Sequence, residues 1–218
     1  MKQEKNIEVE LRTELYQAEF EHIFAELKKR TLFLEEVQRY FVVFFGEING
    51  VRYDCRVRIT NSEAEVVLKK GGYHANNRIE VAQDITPDQF LGFVKIYAQI
   101  DWSAFESKVC QRKMYKFVDK KNNAEIQIAE CEGIYYIEIE RIATRETEKE
   151  VIAELTEYMQ TYGISPISKD DFYKLCKRLD QKDWVFNNKP EDYVKIEKEL
   201  KEHLDETTNK KNSSEIFV

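Results

Sequence analysis

The sequence predicts an α+β fold, an eight-stranded antiparallel β-barrel with flanking helices, on three observations. Eight segments alternate apolar and polar residues with the period of a strand. The connections between several of them are short and built from turn-forming residues, which makes neighbouring strands antiparallel. Segments with the helical period interrupt and follow the strands, each with one apolar stripe to lay against a sheet.

The strand segments, in order, are Glu4–Thr13, Gln38–Glu47, Val51–Thr60, Ala64–Lys70, Asn77–Gln83, Ser107–Val118, Ala124–Glu130 and Ile134–Ile142. Asn49-Gly50 predicts a two-residue hairpin, because both residues tolerate positive φ. Gly71-Gly72 and Lys121-Asn122-Asn123 mark two further turns. Eight strands in a meander are enough to close a barrel and leave no exposed edge. Among the helices, Glu14–Lys29 carries the stripe Leu15, Phe20, Ile23, Phe24 and Leu27. Thr86-Pro87 opens a helix to Ile100, since a first turn tolerates proline. Glu146–Tyr162 ends at Gly163, and Ser168 caps Lys169–Leu179 with Asp170 and Asp171 in its first turn. A charged helix over about Pro190–Leu204 precedes a polar tail expected to be disordered.

With 218 residues, 42% hydrophobic and 12% aromatic, the chain can bury a core. A net charge of −7 argues against general nucleic-acid binding, which needs a basic surface, so any anionic ligand must meet a local cation cluster. Cys55, Cys110, Cys131 and Cys176 form no C-x-x-C pair and read as reduced thiols of a cytoplasmic protein. The longest apolar run, Tyr40 to Phe45, is too short to span a bilayer, and no membrane partner is expected. His22, His74 and His203 lack metal-ligand spacing. Lys69-Lys70-Gly71-Gly72 reads as a turn, because no G-x-x-x-x-G-K-[ST] pattern surrounds it.

Strand parity brings the charges together. Glu8, Glu10 and Arg12 share one face of the first strand, with Val9 and Leu11 on the other. The same parity gives Arg56 and Arg58, then Lys69, then Arg78 and Glu80, then Lys108, Arg112 and Lys116, and finally Glu138 and Glu140. If the sheet closes with this face inward, it makes a charged tunnel. Such a lumen needs water, a metal ion and a polyanion to offset the cost of burying charges. The division suits phosphoryl transfer: arginine and lysine grip non-bridging oxygens, while carboxylates hold a divalent cation and orient water.

Glu8-x-Glu10-x-Arg12 resembles the ExExK signature of the CYTH superfamily, the triphosphate tunnel metalloenzymes. The resemblance continues through Arg56-Val57-Arg58-Ile59, Val67-Leu68-Lys69, Arg78-Ile79-Glu80, Ile137-Glu138-Ile139-Glu140, Tyr162-Gly163-Ile164 and Asp171-Phe172-Tyr173-Lys174-Leu175. It implies a tunnel domain over residues 1–182, followed by a helical extension, 183–206, and a tail, 207–218. It also implies a Mg²⁺- or Mn²⁺-dependent hydrolase that releases the terminal phosphate of tripolyphosphate, thiamine triphosphate or a nucleoside triphosphate. Expected metal ligands are Glu8, Glu10, Glu80, Glu138 and Glu140; expected phosphate ligands are Arg12, Arg56, Arg58, Lys69, Arg78, Lys108 and Arg112. Glu8, Glu10 and Arg12 are the expected catalytic set, in a monomer or homodimer. The alternatives are a class IV-type adenylyl cyclase and a non-catalytic polyphosphate or nucleotide binder. The chain departs from the family pattern at four places: Arg12 stands for lysine, Cys110-Gln111-Arg112 for Lys-x-Arg, Ala129 for a seventh-strand aspartate, and Ala82 where a second acid follows Glu80.

Overall fold

The computed structural model describes residues 7–71, 79–101 and 105–214. Strands β1 (Ile7–Leu15), β2 (Leu32–Ile48), β3 (Val51–Thr60), β4 (Glu63–Lys70), β5 (Ile79–Ile85), β6 (Phe105–Asp119), β7 (Ala124–Cys131), β8 (Ile134–Ala143) and the short β9 (Trp184–Val185) form one antiparallel sheet. The helices are α1 (Gln17–Arg30), α2 (Phe90–Tyr97), α3 (Glu148–Gln160), α4 (Lys169–Asp180) and α5 (Pro190–Ser214). The class is α+β, as expected, but the sheet does not close into a barrel. Strands pair in the order β1-β8-β7-β6-β2-β3-β4-β5, with β9 on β6, and among the described residues no pairing joins β1 to β5. Closure requires a matched tilt and stagger, which strand number alone does not supply. Strand β5 has the character of an edge: residues 80–84 are all exposed, with Glu80 and Asp84 among them.

Contacts divide the chain into two units, residues 1–37 with 113–182, and residues 38–112 with 183–218. In the first, β1 pairs with β8, β8 with β7, and β7 with β6. One face of these strands is apolar: Val9, Leu15, Ile126, Ile128, Ile137, Ile139 and Phe117 pack under Phe20, Ile23 and Leu27 of α1 and Val151 and Leu155 of α3. The helices form near where the sequence predicts because each offers that sheet an apolar stripe, but Glu14 and Leu15, read as the start of the first helix, end β1 instead, and α1 begins at Gln17. Helix α4 starts at Ser168, whose Oγ accepts from the Asp171 N–H at 3.1 Å. It buries Leu175 on the other sheet face, against Met114, Ala129, Tyr136 and Val37.

In the second unit β2, β3, β4 and β5 run as a meander. Asn49 and Gly50 both have positive φ, 51° and 75°, as the hairpin requires. Tyr40, Val42, Phe44, Val57 and Ile59 pack against Phe90 and Val94 of α2 and Ile196 and Leu200 of α5. Three elements differ from expectation. Strand β2 begins at Leu32 rather than Gln38, β9 has no counterpart among the eight predicted segments, and α5 continues to Ser214 through the segment read as a polar tail.

Candidate functional site

In an antiparallel pair, directly opposed residues point to the same face. Register therefore fixes the charged face of the first unit: Glu10 stands opposite Glu140, and Arg12 opposite Glu138. On the other side of β8, Glu140 opposes Glu125 and Glu138 opposes Gln127. Glu8, two residues before Glu10, joins the same face and hydrogen-bonds to Glu140, while Glu10 hydrogen-bonds to Glu138. Four carboxylates thus stand as two hydrogen-bonded pairs. A carboxylate pair can share a hydrogen bond only when it also shares a proton.

The titration behaviour has that cause. Burial, then the charges of Glu138 and Glu8, raises Glu10 from 4.5 to about 7, against the opposing pull of Arg12. Burial, then Glu8 and Glu10, raises Glu140 to about 8. Among the described residues, Arg12 is the cation set into this group. Its Nε donates to Glu138 Oε1 at 2.7 Å, it forms an ion pair with Glu10, and its guanidinium lies 4.6 Å from the centre of the Phe172 ring on α4. Burial works against the Arg12 charge, but Glu138 and Glu10 outweigh it and hold the pKa above the ordinary value.

Among the described residues no three acid, thiol or imidazole groups converge as a ready-made metal cage. The chemistry of the four-carboxylate face nonetheless fits a hard divalent cation: all its donors are oxygens, and their mutual repulsion is what a cation would relieve. A Mg²⁺ or Mn²⁺ ion would be held by Glu8, Glu10, Glu138 and Glu140.

The second unit gathers the arginines. Arg56 donates twice to Asp54, Nε to Oδ1 and Nη2 to Oδ2, both at 2.8 Å. Arg112 donates twice to Asp183 at 2.6 and 2.7 Å. Both guanidiniums face the ring of Phe41, at 5.5 and 5.9 Å from its centre. Phe41 belongs to a small apolar cluster with Val43 and Cys110, on the same sheet face as the arginines. The Cys110 thiol is driven well above its ordinary pKa, by burial first and then by Asp183, so it acts as a neutral filler rather than a nucleophile. Arg58 Nε donates to Glu65 at 2.7 Å, and Lys69 pairs with Glu80 at 2.8 Å.

Of the residues the sequence singles out, Glu8, Glu10, Arg12, Glu138 and Glu140 are brought together in the first unit. Arg56, Arg58, Lys69, Glu80, Lys108 and Arg112 belong to the second. There the expected metal ligand Glu80 is the partner of Lys69. Arg78 lies outside the described residues. Ala129, where the family resemblance expects an aspartate, is 1% exposed and packed among apolar side chains. Sequence reasoning missed Asp54, Asp183 and Phe172. Asp54 shares the parity of Arg56 and was legible two residues before it; Asp183 and Phe172 come from other elements, and no local pattern connects them to the arginines they serve.

No family model matches the chain, and no curated protein does. Solved structures do. The PH1819 protein of Pyrococcus horikoshii OT3 aligns over 78% of this chain and 98% of its own, with a TM-score of 0.56 and 16% identity. A conserved hypothetical protein of Pyrococcus furiosus covers 75% of this chain and 93% of its own, at TM-score 0.53 and 16% identity. A Vibrio parahaemolyticus protein proposed to be an adenylate cyclase covers 77% and 98%, at TM-score 0.52 and 14% identity. At such identities the shared property is fold. Among the described residues no helix is long and apolar enough to cross a membrane.

Proposed function

We propose that this chain, whose fold is of the CYTH type, is a metal-dependent triphosphatase that removes the terminal phosphate of a small triphosphate. The observation that carries the reading is the face of Glu8, Glu10, Glu138 and Glu140. Four carboxylates crowded until two of them hold protons near neutral pH form an unfavourable arrangement for a purely structural surface. A divalent cation bound there would draw charge from a phosphoryl oxygen and favour ionisation of a nearby water. Glu8, the most exposed of the four, orients that water as the others hold position. Arg12, fixed by Glu138 below and Phe172 above, offers its charge to the non-bridging oxygens of the departing phosphoryl group. The same reading gives Arg56, Arg58, Lys69, Lys108 and Arg112 the task of holding phosphate oxygens; Arg78 keeps that assignment on sequence grounds.

The test is phosphate release from tripolyphosphate, thiamine triphosphate and ATP, each with Mg²⁺ and with Mn²⁺. Glu8→Gln keeps the size of the side chain and removes a ligand charge, so turnover should fall at least about 100-fold, the scale of a lost general base or metal ligand. Unchanged turnover in that variant would remove Glu8 from the mechanism, and no metal-dependent release from any substrate would remove the hydrolase.

One observation favours a second reading. The fold shared with the Vibrio protein supports a cyclase, in which the ribose 3′-hydroxyl attacks the α-phosphorus and pyrophosphate leaves. Formation of cyclic AMP and pyrophosphate from ATP, in place of free phosphate, selects it. The apolar surroundings of Ala129 favour a third, in which the chain binds a polyphosphate without turning it over. Saturable binding with no product after prolonged incubation selects that one.

A further inference from the structure

We propose that Asp183 is a positioning residue, which fixes the guanidinium of Arg112 in the orientation that receives a phosphate oxygen. The inference rests on the reading that Arg112 holds phosphate, and it gives the segment after α4 a part in that task.

The local structure leads there in steps. Strand β9 pairs Lys108 with Val185 and Val109 with Trp184, so the next position in register sets Asp183 beside Cys110. The Cys110 thiol hydrogen-bonds to the Asp183 carboxylate. The far end of the segment is tied down as firmly: the Phe186 N–H donates to the Ser107 carbonyl at 3.0 Å, and Ser107 Oγ donates to the Phe186 carbonyl at 2.6 Å. Phe186 itself is fully buried. Behind β9, Trp184 Nε1 and Tyr40 Oη both donate to Glu199 Oε2 of α5 at 3.1 Å. Asp183 therefore arrives on a four-residue tether whose two ends and back are all bonded.

What it meets is an arginine held on three sides. Asp183 takes Nη1 and Nη2, the Gln111 carbonyl accepts from Nη1 at 2.8 Å, and Phe41 lies against the guanidinium. The Asp183 side chain is 2% exposed and that of Arg112 10%. A buried pair of this kind adds little stability over apolar residues of the same volume, while a planar fork bonded twice to a fixed carboxylate is held in one plane and one direction. Orientation, rather than stability, is the property such a pair supplies to a site that must grip an anion.

The experiment titrates the full chain with tripolyphosphate in the presence of Mn²⁺ by calorimetry. Asp183→Asn keeps the shape and removes the charge; it should weaken binding roughly 10-fold, the low end of what losing an orienting partner does to a site. Ser107→Ala removes only the hydroxyl bond at the far end, leaves the Phe186 N–H bond and the Asp183 carboxylate in place, and should change affinity less than about twofold at a comparable loss of thermal stability. In an Arg112→Lys background, which cannot donate the two-pronged bond, Asp183→Asn should add less than about twofold. Separate Nη resonances of Arg112 in ¹⁵N-labelled protein should merge in Asp183→Asn and stay resolved in Ser107→Ala. The inference is overturned if Asp183→Asn folds normally and binds as tightly as the natural chain. It is equally overturned if Ser107→Ala costs as much affinity, or if the Asp183 and Arg112 losses multiply. Should Asp183→Asn fail to fold, Asp183→Glu, which keeps the charge and displaces the carboxylate by one methylene, carries the same comparison. Absence of phosphate release alongside an intact Asp183 effect on affinity overturns the hydrolase reading alone.

Discussion

Glu140→Gln should stabilise the metal-free protein at alkaline pH and leave it nearly unchanged at pH 5. The carboxyl of Glu140 binds its proton far more tightly in the folded state, where burial and then Glu8 and Glu10 oppose its charge, and its pKa rises from 4.5 to about 8. An acid raised in this way makes the folded state hold more protons than the unfolded one. Stability must therefore fall as pH climbs from about 4.5 through about 8, the reverse of an ordinary ion-paired carboxylate. A tenfold change in proton affinity is about 1.4 kcal/mol. Carried by Glu140 alone, the rise would be worth on the order of 5 kcal/mol, but Glu10, itself raised to about 7, sheds part of the same repulsion by holding a proton, so about 2 kcal/mol is the expected gain. For a chain of this size that is roughly 4–8 °C in Tm. The assay is thermal unfolding in EDTA at pH 5, 7 and 9 for both proteins. At pH 9 the variant should melt higher, and Mn²⁺ should raise the natural protein more than the variant. A variant that melts lower at pH 9, or by the same interval at every pH, would refute the account of the carboxylate face.

Three further outcomes are expected. Arg112→Met leaves the Asp183 carboxylate buried without its partner and should cost about 3–5 kcal/mol in urea unfolding, most of it recovered by adding Asp183→Leu. Gly133→Ala should cost about 1–2 kcal/mol, read in the same way; Gly133 has φ +83° in the β7–β8 turn with open space around a new Cβ, so the whole penalty is backbone strain. Leu155→Ala, fully buried between α3 and its sheet, should cost about 2–5 kcal/mol by calorimetric unfolding, with phosphate-binding affinity intact.

Period and parity made much of this molecule readable in advance. The β3 segment is Val51–Thr60 both in pattern and in structure, because one of its faces buries Cys55, Val57 and Ile59 and the other carries Asp54, Arg56 and Arg58. The convergence of Glu8, Glu10 and Arg12 on Glu138 and Glu140 follows from the same alternation plus one register. Strand β2 was harder to delimit. Its start, Leu32-Phe33-Leu34, is exposed, and its centre from Tyr40 to Phe44 is buried on both faces, so neither stretch alternates in burial. The expected barrel failed for a related reason. A polar-apolar pattern records which way a side chain points, whereas closure depends on how far each strand slides past the next. Asp183 illustrates a third kind of blindness: the strand that follows it has two residues, too few to show any period.

The ring of Phe41 beneath Arg56 and Arg112 has a consequence for ionic strength. A guanidinium with carbon on one flank is reached by salt from fewer directions than one on a hydrated surface, and screening acts most strongly on charges surrounded by electrolyte. Anions captured by these two arginines should therefore be surrendered only slowly as sodium chloride is raised, and a shallow salt dependence becomes the signature of capture at this aromatic seat.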